Sequence, residues 1–126
     1  MSNVNNNAME CPDWLSRLCK DELPNEIKPK MFWDDMVGRL NKAGALHLVS
    51  PTFIARYALS NSRHLEIEIH ISQALSDYAS NENFPDGYPK GLPKVIDASL
   101  MYAEQAHAAE DMIWQMASRK SWCASG

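Results

Sequence analysis

The chain has 126 residues, with 12 Lys+Arg against 16 Asp+Glu, 45% hydrophobic and 22% charged residues. That is a globular composition on a chain long enough to bury a core, and it excludes a wholly disordered protein. No apolar run approaches the ~18–20 residues of a membrane helix, and a formal charge of −4 means that any contact with nucleic acid needs a local basic patch or several copies acting together.

Residues 1–28 are expected to form an irregular N-terminal arm. Its first ten residues are polar and rich in Asn, with neither the basic cluster nor the apolar stretch of a secretory signal. Cys11, Cys19 and Cys123 lack metal-ligand spacing, and their odd number predicts a reducing, intracellular setting. Pro12 and Pro24 restrict the backbone around them, so one short helical turn at Pro12-Asp13-Trp14-Leu15 is the most the arm should contain. Trp14, Leu15 and Leu18 are expected to dock it on the core.

A helical domain follows over 29–120. Its first helix begins near Pro29, and Phe32, Trp33, Met36, Val37 and Leu40 recur at three- and four-residue steps on one face. Gly44 is the expected left-handed residue after its end. Ala45-Leu46-His47-Leu48-Val49 is an apolar connector, buried or briefly extended. Ser50 is a good N-cap and Pro51 suits a first helical position.

No Gly or Pro then interrupts the chain until Pro85. One stripe runs Phe53, Tyr57, His64, Ile67, Ile71, Leu75, Tyr78, and a second runs Ile54, Ala58, Leu65, Ile69. At 1.5 Å per residue this second helix is ~40 Å long, and its two stripes need partners on more than one side. The Pro, Gly, Asn and Asp residues of Asn81–Pro93 mark a surface loop. A third helix is expected from about Lys94 to Arg119, burying Ile96, Leu100, Ala103, Ala106, Ala109, Ile113 and Met116. Residues 121–126 read as a short frayed tail. The fold class is all-α: an extended N-terminal arm and three main helices, the last two long and forming an antiparallel hairpin.

The chemical motifs are sparse. His64/Glu68 and Glu66/His70 each lie four residues apart, yet the two pairs fall on opposite sides of a helix and cannot converge on one ion. Glu104-Gln105-Ala106-His107 has the Glu-x-x-His spacing of di-iron helices, but no second copy exists in the chain. There is no Gly-x-Ser-x-Gly turn, no phosphate-binding Gly loop and no Cys with a local nucleophile signature. The sequence therefore predicts no catalytic residue, no metal site and no cofactor. Trp33, Met36, Met112, Trp114 and Met116 are read as core or subunit interface.

Charge is unevenly spread. Arg17, Lys20, Lys28, Lys30, Arg39, Lys42, Arg56 and Arg63 outnumber Asp21, Glu22, Glu26, Asp34 and Asp35 in the same segment, while the remainder of the chain is acidic. The first two helices and their link allow a helix-turn-helix-like arrangement. The candidate DNA-binding residues are Arg39, Lys42, Arg56 and Arg63.

The order of these features resembles the phage terminase small subunits of the P27-like family. The match runs through Pro12-Asp13-Trp14-Leu15, Trp33 opening an amphipathic helix, Leu40-x-x-x-Gly44-x-Leu46, Tyr57 on the next helix, the Pro/Gly-rich loop and an alanine-rich last helix. It covers roughly Pro12 to Arg119. The resemblance implies a non-catalytic homo-oligomer, typically a ring, that recognises viral double-stranded DNA and regulates the terminase large subunit during genome packaging in the cytoplasm of a bacterial host. No membrane partner is implied. The alternative from another class is a small helical adaptor that binds a protein partner without touching DNA.

Overall fold

The computed structural model describes residues 9–18, 23–80 and 91–125, the last without the side chains beyond Arg119, and likewise without those of residues 79 and 80. Four α-helices carry the fold: α1 (Asp13–Arg17), α2 (Pro29–Lys42), α3 (Pro51–Ser80) and α4 (Leu92–Ser125). Single 3-10 turns at Asn25–Ile27 and Leu46–Leu48 join the first three, and no strand occurs among the described residues. The protein is all-α, as its periodicities require.

The helix boundaries follow from local chemistry. Pro29 occupies the start of α2. At its other end Gly44 has φ +68°, the Gly44 N–H donates to the Asn41 carbonyl (3.0 Å) and the Ala45 N–H donates to the Leu40 carbonyl (2.9 Å). Those two bonds form a Schellman motif, which satisfies carbonyls left orphaned at the helix end. The apolar connector then closes as a 3-10 turn that buries Ala45, Leu46 and Val49. Ser50 Oγ accepts from the Thr52 N–H (3.3 Å) at the start of α3, the side-chain cap expected there.

α4 begins two residues before Lys94, with Gly91 (φ +84°) just ahead of it, and it continues past Arg119 to Ser125. Most of the expected loop lies outside the described residues, since 81–90 are not among them. Arg63 meets Tyr102, while His64 and Glu68 meet Ser99. As numbers rise on α3 their partners fall on α4, so the two long helices run antiparallel.

One core sits where α1, α2, the Leu46–Leu48 turn, the first half of α3 and the second half of α4 meet. Leu15, Trp33, Met36, Leu40, Ile54 and Ile113 are its closed centre. Trp33 also ties down the arm, its indole N–H donating to the Met9 carbonyl (3.0 Å). Of the three side chains expected to dock the arm, only Leu15 does so. Trp14 and Leu18 are 53% and 49% exposed, because a single helical turn can turn only one face to the core.

A second correction concerns α4. Its inward positions are Leu92, Ser99, Ala106 and Ile113, with Ala109 and Ala117 beside them. Ile96 and Leu100, expected inside, face out. Ser99 takes the inward place near them because its hydroxyl has partners on α3.

Candidate functional site

Three local arrangements hold the polar and unfilled parts of the molecule. The first centres on Arg39, at the junction of α2, α3 and α4. Its Nη2 donates to the Tyr57 hydroxyl (2.8 Å). Its Nη1 lies 3.6 Å from Glu110 Oε2, and its Nε lies 3.2 Å from Asp35 Oδ2. The Asp35 contact is electrostatic only, since the Nε–H is not aligned for a hydrogen bond and Nε is buried without an acceptor among the described residues. The guanidinium carbon is 5.9 Å from the ring centres of both Tyr57 and Trp114, within cation–π range. Burial raises the Tyr57 hydroxyl above its usual pKa, against the opposing pull of the Arg39 charge.

The second arrangement is a polar clasp halfway along the hairpin. Ser99 Oγ donates to Glu68 Oε2 (2.5 Å), which spends its one proton. His64 Nδ1 lies 3.0 Å from both Ser99 Oγ and the Ser99 carbonyl. Both are then acceptors, so this network assigns the imidazole proton to Nδ1. Ser99 is only 2% exposed, closed to a substrate, and what the cluster does is fix the register of α3 against α4. His64 and Glu68 therefore share the α4-facing side, whereas His70 is exposed. No group of three or more His, Cys, Asp or Glu side chains converges among the described residues.

The third is a groove of about 430 Å³ between α3 and α4. Phe53, Leu59 and Met112 wall it, Ala108 and Ala109 line it with little bulk, and Arg56, Ser60 and Gln105 supply its polar groups.

The four candidate DNA-binding residues fall in unlike places. Arg39 is engaged by the three-helix junction, and Arg63 is half-buried with its guanidinium 5.9 Å from the centre of the Tyr102 ring. Lys42 and Arg56 are exposed, and neither makes an ion pair with a described residue. Sequence reasoning missed Ser99, Glu110 and Trp114 as polar or stacking partners. The available signal was Ser99 itself, a small polar residue seven positions from both Leu92 and Ala106 on the inward face.

Among the described residues no helix is long and apolar enough to cross a membrane. Set against protein-family models, curated proteins and solved structures, the chain matches none of them.

Proposed function

We propose that this chain is a non-catalytic, self-associating DNA-recognition subunit of the phage terminase small-subunit type. In that role it binds viral double-stranded DNA and regulates a large terminase subunit in the bacterial cytoplasm. The order of sequence features between Pro12 and Arg119 motivates the reading. The observation that carries it is an exposed cation: Lys42 stands in the last turn of α2 and makes no ion pair with a described residue. Free cations are what a phosphate backbone recruits, and repetition of a weak patch by several copies multiplies the phosphate contacts.

Lys42→Glu tests this without disturbing the core, since the side chain is exposed and lies outside the α3–α4 groove. It is expected to weaken duplex DNA binding at low salt and to flatten the salt dependence by roughly 0.9 in log–log slope per lost phosphate contact per copy. Unchanged affinity and slope would refute the assignment. A second reading, a helical adaptor for a protein partner, draws on the exposed Ile96, Leu100 and Met101. It predicts no salt-dependent DNA binding by the unmodified chain.

A further inference from the structure

The geometry points to a contact between copies in which Trp14 of one chain enters the α3–α4 groove of another. Trp14 is exposed on α1 although its neighbour Leu15 is wholly buried. Leu15 in the core and the Trp33–Met9 hydrogen bond hold the arm where it is, so Trp14 is presented outward by a fixed support.

The groove suits what α1 presents. Phe53, Leu59 and Met112 offer apolar walls, and the small side chains of Ala108 and Ala109 leave room for a ring between them. A buried indole N–H needs an acceptor, and Gln105 and Ser60 line the same groove. The sequence neighbour of Trp14 is Asp13, in the first turn of α1, and the groove carries Arg56, a cation without an ion partner among the described residues. Aromatic anchors seated in desolvated pockets carry much of the energy of an interface, and complementary charges beside them fix partner and register. Anchor and groove are different surfaces, so the contact is heterologous, and its repetition gives a closed ring or an open chain. This inference rests on the self-association proposed above and names the contact that makes it.

Light scattering of the full chain in the absence of DNA separates the two ideas. The expected result is a multimer for the unmodified protein, with Trp14→Ala and Arg56→Asp each weakening assembly by about tenfold or more. Combining Asp13→Arg with Arg56→Asp restores assembly by exchanging the two charges. All these positions are surface-exposed, and unchanged helical circular dichroism verifies that the variants fold. A multimer whose mass ignores Trp14→Ala and Arg56→Asp overturns the arm-in-groove contact and leaves self-association standing. A monomeric unmodified protein overturns both.

Discussion

The two ends of the α3–α4 hairpin are built from similar apolar stripes and meet different fates. At the α2 end, Ile54, Ala58 and Ile113 are fully buried. At the other end, Ile69, Leu75, Ile96 and Leu100 are exposed. The second stripe of α3 makes the contrast within one helix, since it starts as Ile54 and Ala58 in the core and arrives at Ile69 in solvent. Length explains this. α2 has 14 residues and α3 has 30, so at 1.5 Å per residue the shorter helix covers only about half of the longer one. Ile71 and Leu92 remain buried at the far end, so the reach of α2 accounts for the outward positions and not for all burial there, and the chain leaves part of its own apolar surface uncovered.

Mutations at the two ends should therefore differ in scale. Trp33→Ala removes a wholly enclosed indole and the bond that holds Met9, and is expected to cost about 3–5 kcal/mol in chemical denaturation. A loss below about 1 kcal/mol would mean that the α2 end is not the main core. Arg39→Met comes next, with an expected loss of about 2 kcal/mol, because it removes a hydrogen bond and two ring contacts at the three-helix junction. If stability is unchanged, the junction is an exposed ion pair of little weight.

Ser99→Ala should cost about 1 kcal/mol. Water can replace its hydroxyl at the exposed Glu68, and the Ser99 carbonyl still accepts from His64. Leu100→Ala, one residue away but 56% exposed, is expected to stay within about 0.5 kcal/mol in the isolated chain. Equal effects at Ser99 and Leu100 would contradict the inward and outward assignment of α4.

Much of the fold was legible before the structure. Apolar spacing located α2 and α3, Gly44 marked the end of one, and Ser50-Pro51 marked the start of the other. What spacing does not carry is the side from which a partner arrives. Ile96 and Leu100 are apolar and fit a helical stripe, yet it is the polar Ser99, at helical spacing from Leu92 and Ala106, that faces inward, with His64 and Glu68 as its partners on α3. Trp14, Leu15 and Leu18 were equivalent as apolar residues, and only the attachment of the arm distinguishes them. The junction around Arg39 was hidden for the same reason: Tyr57, Glu110 and Trp114, which meet it, are 18 or more residues away in the chain and arrive only through folding.

Sedimentation equilibrium of the unmodified chain over a wide concentration range tests most directly whether one copy can cover its own apolar surface. The account predicts a reversible assembly well above the 14.2 kDa protomer. A single 14.2 kDa species that persists at the highest concentration would contradict it.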